Sequence, residues 1–264
     1  MSESGHQDFL CFVINLDGST ARMEGIADSL GRTGIRFKRL PAFDGRKLDL
    51  SKVADYDAAA ARRYMGRELV GGEIGCYYSH LNAARAFLAS DQRHCLVIED
   101  DAAPDQQLKM IVAAAIAFLD RHDPAWKVVN LGNERMKIFR PLLPLQGARG
   151  GYTLCAAYYF PMTTGGILWS REGARAFVEG HRTIFAPVDN FFRHWITRAG
   201  GGYAFLPRPI STTDAESDIT HPGTQQRSRR GRTALYGLRK QRRLLVDKLI
   251  ATVAKLSDRR RAGG

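Results

Sequence analysis

The amino-acid sequence predicts an α/β fold in which helices cover a mostly parallel central sheet. Segments with the two-residue period of strands alternate with segments of helical period over about 200 residues. The first unit, 9–40, has the order strand, helix, strand, which implies a parallel pair with a right-handed crossover. A second observation is the apolar run 95–98, which stops at three consecutive carboxylates. In open α/β sheets, ligands bind at such strand ends.

The elements follow in order from local signals. Residues 9–16 predict a strand, Ser19 or Thr20 can cap the next helix, and Gly31 and Gly34 end it before an alternating strand. Apolar residues at helical spacing predict further helices at 71–88, 107–119, 171–180 and from Pro187 onward. Strands are predicted at 95–99, 127–131, 163–170 and 203–206. We expect a Pro- and Gly-rich loop at 142–151 and irregular or weakly helical structure at 48–69.

The net charge of +12 is concentrated at one end of the chain. Residues 226–264 contain 13 Lys and Arg against Asp247 and Asp258, so the other 225 residues carry 26 basic and 25 acidic groups. A nearly neutral catalytic domain, 1–225, is therefore predicted to precede a basic tail, 226–264.

The tail has the pattern of a basic amphipathic helix between residues 233 and 256. Such a helix is typical of binding to an anionic membrane surface. Packing on the domain and an oligomer contact are the alternatives, while the lack of aromatics beyond Tyr236 disfavours nucleic acid. Its apolar residues are spaced by three and four over most of this length: Leu235, Leu238, Leu245, Leu249, Val253 and Leu256.

The cysteines and the apolar runs bear on the compartment. Cys11, Cys76, Cys95 and Cys155 form no CxxC pair, which predicts buried free thiols and a reducing environment. The first residues lack the basic region of a secretory signal, and the run 111–119 is about half the length of a membrane span. We therefore expect a cytoplasmic protein that is peripheral to the inner face of the membrane.

The three acids Glu99, Asp100 and Asp101 repel one another and need a cation, hydrogen-bond donors or open water. Mg²⁺ or Mn²⁺ would satisfy them, because hard divalent ions prefer carboxylate and phosphate oxygens. Strand alternation predicts that Glu99 and Asp101 share one side and that Asp100 takes the other. The alternative is an acidic loop that follows a core strand.

Several segments, taken in this order, resemble glycosyltransferase family 25, the group of bacterial lipopolysaccharide and lipooligosaccharide galactosyltransferases. The resemblance covers roughly residues 9–219. It implies a GT-A-like, Rossmann-type sandwich that uses a nucleotide sugar, usually UDP-galactose, and inverts the anomeric carbon. The segments are Val13-Ile-Asn-Leu16, Gly72-Glu-Ile-Gly-Cys-Tyr-Tyr-Ser-His80, Leu96-Val-Ile-Glu-Asp-Asp101, Gly166-Ile-Leu-Trp-Ser170 and Pro187-Val-Asp189.

The resemblance also implies a metal site. Residues Glu99 to Asp101 would take the part of the Asp-x-Asp motif, with Asp101 as the metal ligand and Glu99 or Asp100 facing ribose or metal-bound water. His221 would add a metal or pyrophosphate contact, although a loop histidine can also be merely solvated. A divalent cation would offset the charge that develops on the UDP leaving group.

An inverting transfer needs a base, and the resemblance favours Asp189 in that role. Its alternative role is an N-terminal cap. Glu73 is the second candidate catalytic carboxylate, and it lies on the helix that also carries Ser79 and His80. In the family frame these residues line the donor or acceptor pocket. The alternatives are a first-turn carboxylate for Glu73 and a hydrogen-bonded core histidine for His80.

The first strand–helix loop would contact the donor. Asn15 and Asp17 lie where uracil or ribose is expected, and Arg22 can reach phosphate. Many family members have Arg where this chain has Gly18, so the donor contacts differ here. Gly165 and Gly166 allow a ligand to approach the backbone closely, although a tight strand start needs the same residues.

The sequence thus predicts an enzyme that transfers a sugar from a UDP-sugar to a saccharide or lipid-linked saccharide acceptor in lipopolysaccharide or other envelope glycan synthesis. One alternative is a nucleotidyltransferase, which would normally have a glycine-rich phosphate loop. Another is a non-catalytic membrane- or nucleic-acid-binding protein on a transferase-like fold.

Overall fold

An eight-stranded sheet forms the centre of the molecule in the computed structural model, which describes residues 7–133, 135–146, 151–213, 232 and 235–262. The sheet order is β2-β1-β3-β8-β5-β9-β7-β6, and β10 pairs with β4 in a separate two-stranded sheet. The strands are β1 Leu10–Asn15, β2 Lys38–Pro41, β3 His94–Glu99, β4 Ala102–Pro104, β5 Val128–Asn130, β6 Lys137–Leu145, β7 Tyr152–Tyr159, β8 Gly166–Ser170, β9 Gly202–Leu206 and β10 Ile210–Thr212. The helices are α1 Thr20–Thr33, α2 Ala58–Met65, α3 Gly71–Leu88, α4 Leu108–His122, α5 Arg171–Gly180, α6 Val188–Ala199 and α7 Tyr236–Ala262.

The central sheet is mixed, with one prevailing strand direction. Strand β1 is parallel to β2 and β3, and β5 is parallel to β9. Strand β8 is antiparallel to both β3 and β5, while β7 is antiparallel to β9 and β6. Six strands therefore point one way, and β7 and β8 point the other. The predicted, mostly parallel sheet is confirmed in this sense.

Two apolar layers cover the two faces of the sheet. Side chains alternate along β1, so Phe12 and Ile14 join one cluster while Cys11 and Val13 join the other. The first cluster includes residues of α2, α3, α5 and α6, and the second includes residues of α1 and α4. The predicted α/β/α sandwich is confirmed by this arrangement.

The register of β1 and β3 places two polar strand ends side by side. Ile14 is the partner of Glu99, so the residues after Glu99 emerge next to Asn15. Both strands are parallel, and their carboxyl ends therefore open at the same edge of the sheet. A ligand cleft is expected there.

The backbone of the loop 42–46 packs directly against the backbone of helix α3. A Cβ added to Gly45 would lie 1.9 Å from the carbonyl oxygen of Gly71, and one added to Gly71 would lie 2.0 Å from that of Gly45. A Cβ on Gly75 would lie 2.6 Å from the oxygen of Phe43. These glycines let the loop rest on the helix with no side chain between them.

One local expectation was wrong in part. Residues 142–151 were expected to form a loop, but 142–145 belong to β6, and 147–150 lie outside the described residues. Strand β6 is an edge strand with a register shift between Pro141 and Leu143, and an edge tolerates proline because one side of it needs no ladder hydrogen bonds. Residues 48–69 were expected to be irregular or weakly helical, and they contain a short helix, α2, which Asp57 caps through a 2.8 Å bond from the Ala60 N–H.

Helix α7 begins close to the position that the periodicity predicts and continues to Ala262. It contacts α2, α6, β6 and β7, so it packs on the sandwich. The division at residue 225 stays a prediction about composition. Within the described residues, no helix combines the length and the apolar character that a membrane crossing requires.

The Gly75 contact gives a test of the loop's seating. We expect Gly75→Ala to lower the free energy of unfolding by ~1–3 kcal/mol, because the new Cβ meets backbone atoms that cannot turn away. Gly31→Ala in α1 is the matched control, since a Cβ there meets nothing within 4 Å. That variant should gain up to ~1 kcal/mol from helix propensity. Urea denaturation measures both, and equal stability of the two variants would contradict the contact.

Candidate functional site

A cleft opens at the carboxyl ends of β1 and β3. Its walls come from β1, α1, the loop 42–46, α3 and the turn 100–101 after β3. Clefts at this edge of an open α/β sheet are where ligands bind. Six of the residues predicted from the sequence lie in the wall of the cleft: Arg22, Ser79, His80, Glu99, Asp100 and Asp101.

Glu99 is held by hydrogen bonds. Its Oε1 lies 3.0 Å from Nε2 of the buried His80 and accepts a 2.6 Å bond from the Thr164 hydroxyl. Burial opposes ionisation of Glu99, but the bonds and charge of His80, the Thr164 bond and the charge of Arg22 outweigh it and lower the pKa. An ionised carboxylate only accepts, so the histidine donates from Nε2. The structure therefore makes Glu99 a fixed carboxylate.

Asp100 points toward the first strand–helix unit. Its Oδ2 accepts a 2.7 Å bond from the Asn15 amide, and its Oδ1 lies 3.2 Å from the Arg22 guanidinium. Asn15 is held in turn, because its Oδ1 accepts a 2.8 Å bond from Nε of Arg39. Strand β1 and helix α1 thus each contribute a contact to this carboxylate, and β2 holds Asn15 in position. Asn15 has the geometry of a residue that orients Asp100.

Asp101 is the least compensated of the three acids. Its Oδ2 lies 3.2 Å from Arg22, whereas its buried Oδ1 has no hydrogen-bond partner among the described residues. Burial is the main reason that the pKa of Asp101 rises to about 6, and the charges of Glu99 and Asp100 add to it against the opposing effect of Arg22. The turn therefore has an unfilled capacity for a cation.

The expected alternation of side chains does not extend past Glu99. Strand β3 ends at that residue, and Asp100 and Asp101 lie in a turn. Arg22 contacts both aspartates, while Glu99 turns toward α3. The grouping of Glu99 with Asp101 was wrong, because strand geometry no longer applies beyond the last paired residue.

The residues present fit a divalent cation at the turn. Asp101 supplies an unpartnered buried carboxylate oxygen, which is the ligand type that Mg²⁺ and Mn²⁺ prefer. A second donor set, Cys76, His80 and Glu99, has ligand atoms within 4.8 Å of one another. Burial raises the pKa of the Cys76 thiol, and His80 and Glu99 already bond to each other. The second set is therefore less suited to a hard ion.

Asp189 lies in the first turn of α6. Pro187 is the capping residue, so Asp189 itself is not the N-cap. Its Oδ1 accepts bonds of 2.6 and 2.9 Å from the backbone and side-chain N–H groups of Asn190. Burial raises the pKa of Asp189, and the charge of Glu73 raises it further. The hydrogen bonds from Asn190 act in the opposite direction but do not cancel this rise. Its charge in turn acts on Cys76, a residue of the cleft wall.

Glu73 has a structural task in α3. It forms a two-pronged ion pair with Arg67, at 2.5 and 2.8 Å, and accepts a 3.0 Å bond from the backbone N–H of Val70 at the helix start. Both features match the first-turn carboxylate alternative. A catalytic role for Glu73 stays a prediction.

Ser79 fixes the wall of the cleft. Its hydroxyl accepts a 2.9 Å bond from the Phe43 N–H and donates at 2.8 Å to the Gly75 carbonyl. Phe43 and Arg46 line the cleft beside it, and Asp44 binds Arg46 through the backbone and the side chain. The loop 42–46 is thereby part of the site.

Three further predicted residues, Asp17, Gly165 and Gly166, are not among the residues that line the cleft. Asp17 is 83% exposed and pairs with Arg39 at 2.5 Å. A Cβ added to Gly166 would lie 2.4 Å from Ile210 Cδ1, so the end of the Ile210 side chain would have to move, whereas a Cβ on Gly165 meets nothing within 4 Å. His221 lies outside the described residues. Donor contacts by these residues stay predictions.

Sequence reasoning missed Arg39, Cys76, Thr164 and the loop 42–46 with Phe43 and Arg46. Arg39 lies on the strand parallel to β1, one position before the partner of Ile14. Thr164 precedes β8, the strand paired with β3. Cys76 had a usable signal, because it lies one helical turn before His80. The other contacts depend on strand pairing and loop packing.

Comparison with known proteins places the chain among transferases. Residues 9–192 match the profile of "Glycosyltransferase family 25 (LPS biosynthesis protein)". Procollagen galactosyltransferase 2 of Homo sapiens is 29% identical over 185 residues, which cover 68% of this chain and 29% of that protein. Procollagen galactosyltransferase 1-A of Xenopus laevis is 27% identical over 221 residues, or 80% and 35% of the two chains. The match spans about a third of these relatives.

Two solved structures are also similar. A galactosyltransferase LgtC in complex with donor and acceptor sugar analogs has a TM-score of 0.40 and 13% identity, with 83% of this chain and 94% of that chain covered. A glycosyltransferase involved in the glycosylation of the major capsid of PBCV-1 has a TM-score of 0.40 and 11% identity, with 84% and 97% covered.

The raised pKa of Asp101 predicts a gain in stability when its charge is removed. A carboxyl group whose pKa rises on folding stabilises the fold below its unfolded pKa, and this contribution is lost as the pH rises through about 6. Asp101→Asn should therefore exceed the wild type by about 1–3 kcal/mol near pH 7.5 and lose this advantage near pH 4. Urea denaturation in EDTA measures the difference.

The exposed Asp91→Asn is the control for this comparison and should behave as the wild type at both pH values. An Asp101→Asn variant that is no more stable than the wild type near pH 7.5 would show that the turn is already compensated.

Proposed function

Because the chain belongs to glycosyltransferase family 25, we propose that it transfers galactose from UDP-galactose to a saccharide hydroxyl, with inversion at the anomeric carbon. It is a glycosyltransferase, and relatives over most of its length are named galactosyltransferases. The single observation that carries the proposal is the unpartnered, buried Asp101 oxygen at the carboxyl edge of the sheet. A cation with a diphosphate is the ligand that this oxygen and the nearby Arg22 favour.

A divalent cation, Mn²⁺ or Mg²⁺, would be held by Asp101, with Glu99 and Asp100 contributing negative charge beside it. When bound, it would neutralise the charge that develops on the departing UDP. His221 stays a proposed further ligand from the undescribed part of the chain. The hydrogen bonds on Glu99 keep that carboxylate ionised and oriented, which leaves Asp101 as the residue best able to take a ligand.

Arg22 has two roles in this proposal. Its guanidinium lies 3.2 Å from both Asp100 and Asp101, so it partly offsets their charge. A planar cation with several donors is also suited to a diphosphate. We propose that Arg22 contacts the donor phosphates when the cation takes over the compensation of Asp101. Asn15 keeps Asp100 in place during this exchange.

Asp189 is the proposed base. Its Oδ1 already accepts both Asn190 bonds, so Oδ2 is the oxygen that takes the proton of the acceptor hydroxyl. Burial raises its pKa and makes it a better proton acceptor than an exposed carboxylate. As the proton moves to Oδ2, the hydroxyl oxygen attacks the anomeric carbon and the bond to UDP breaks on the opposite side, which gives inversion.

The family description and the free cysteines bear on the acceptor and the location. The family description names LPS biosynthesis, and we propose a saccharide or lipid-linked saccharide of the cell envelope as the acceptor. Among the described cysteines, all four thiols are free, which supports a reducing compartment such as the cytoplasm. We place the protein at the inner face of the cytoplasmic membrane.

The test of the proposal is the release of UDP from a panel of UDP-sugars, with Mn²⁺ and with EDTA. We expect UDP-galactose to be turned over only with the metal and Asp101→Ala to lose this activity, because the cation would no longer be held. Asp91→Ala, an exposed change of the same type, should retain it. Activity in EDTA equal to that in Mn²⁺ would remove the metal from the proposal, and turnover of another donor would change the sugar.

The role of Asp189 is tested by Asp189→Asn, which preserves shape and removes the base. We expect kcat to fall by about 10²–10⁴ while the affinity for UDP-galactose stays within about threefold. In the wild type, activity should rise with pH as Asp189 ionises, and this limb should disappear in the variant. Glu73→Gln is the comparison, because it neutralises a nearby carboxylate that is tied to Arg67. A larger loss of kcat in Glu73→Gln would transfer the base role to Glu73.

A further inference from the structure

Helix α7 is attached to the sandwich by its polar side chains. Asp247 is 1% exposed and its Oδ1 lies 2.9 Å from the Arg198 guanidinium of α6. Asp258 pairs with Arg140 of β6 at 2.7 Å and accepts a bond from the Tyr158 hydroxyl of β7. These partners determine which face of the helix turns inward.

Further contacts fix the first half of the helix on α2. Arg243 donates a 3.3 Å bond to the Tyr64 carbonyl and lies over the ring of the same tyrosine, 4.9 Å from its centroid. Arg239 donates at 2.7 Å to the Arg62 carbonyl. The small side chain of Ala251 is fully buried farther along the helix. The inward face is therefore polar and closely packed.

The opposite face is apolar and exposed. Among the described residues, ten large hydrophobic side chains are exposed. Six of them belong to helix α7, and a seventh, Leu235, directly precedes it. Their exposed fractions range from 41% to 68%. We call these seven residues the outer stripe: Leu235, Leu238, Leu245, Val246, Leu249, Val253 and Leu256.

The rest of the chain offers little to cover the outer stripe. The residues that the structure leaves undescribed contain only two large apolar side chains, Met1 and Ile219. Two side chains cannot bury a stripe that extends over most of a 27-residue helix, which is about 40 Å long. A contiguous exposed patch of this kind marks an interaction surface.

The charges around the outer stripe determine the kind of partner. Both acidic residues of α7, Asp247 and Asp258, face the sandwich and are paired there. The exposed charged side chains of the helix are all basic: Lys240, Arg242, Lys248 and Arg260. A second copy would bring the same cations against this face and would be repelled. An anionic surface would be attracted.

We propose that the outer stripe of α7 docks the protein on an anionic phospholipid bilayer, with the helix lying in the plane of the interface. Leucine and valine side chains enter the boundary between headgroups and acyl chains, and the surrounding Lys and Arg contact the anionic headgroups. The polar anchors to Arg198 and Arg140 keep the helix on the sandwich while its apolar face is in lipid. The docking needs neither donor nor acceptor.

The docked helix lies near the cleft. Tyr236, its first residue, contacts Gly66, since a Cβ added there would lie 2.9 Å from the Tyr236 Cα. Arg67, which follows Gly66 in the chain, pairs with Glu73 in the first turn of α3. A bilayer-anchored saccharide would therefore be concentrated near α3. This consequence rests on the proposed transferase function, whereas the docking itself does not.

The experiment is co-sedimentation of the full chain with vesicles of equimolar phosphatidylglycerol and phosphatidylcholine, and with vesicles of phosphatidylcholine alone. The wild type should bind the anionic vesicles at low salt, bind the neutral vesicles far more weakly and be released by ~0.5 M NaCl. Leu245→Gln/Leu249→Gln should weaken binding by about tenfold or more, because two exposed leucines leave the lipid. Met110→Gln, an exposed apolar residue on α4, is the matched control and should bind as the wild type.

Each variant is first compared with the wild type by circular dichroism and urea denaturation, and the exposed positions should leave stability unchanged. A wild type that does not bind anionic vesicles, or a folded double variant that binds as well as the wild type, would overturn the proposal. So would a wild-type dimer in analytical ultracentrifugation that the double variant converts to a monomer, because a second copy would then cover the stripe. Failure of the UDP-sugar assay has no effect on these results.

Discussion

Three adjacent carboxylates at the end of a buried strand are the constraint on which the candidate site depends. They can coexist only because different elements supply compensation, namely His80 of α3, Asn15 at the end of β1 and Arg22 of α1. The parallel register of β1 and β3 makes this possible, since it places Ile14 opposite Glu99. The sheet order therefore determines the electrostatics of the cleft.

The negative charges of the three acids are compensated to different degrees, and this difference determines which of them is suited to bind a cation. Glu99 is satisfied by two donors and stays ionised, whereas Asp101 has a buried oxygen without a donor and a pKa near 6. Asp189 is a second carboxyl group whose pKa burial raises, and it lies on a helix, α6, that packs against α3. In the proposed reaction one group binds a cation and the other takes a proton. The same desolvation prepares both.

Much of the fold was predictable, because strong periodicity acts locally. Helices α1 and α4 each bury one regular face, β1 and β3 are continuous apolar runs buried on both faces, and α3 has apolar residues at helical spacing, so their patterns were sufficient. Strand β6 was not predictable in this way, since Pro141 and Pro144 indicate a loop unless the strand is known to lie at an edge. The three acids were identified from one strand end, but Thr164 and Arg39 joined them through pairings between distant segments. The spacing of apolar residues predicted helix α7 itself. Which side of the helix faces the sandwich depends on partners in other elements, such as Arg198.

Because the charge at the acidic turn is only partly compensated, the thermal stability of the folded protein should respond to ligands that bind there. Any species that binds the native state adds RT ln(1 + [L]/Kd) to its stability, and a cation that reduces the repulsion at Asp101 binds more tightly for that reason. A melting curve is consequently sensitive to the correct pairing of cation and nucleotide sugar before any acceptor is known. The donor can thus be sought by heat alone, without a turnover assay.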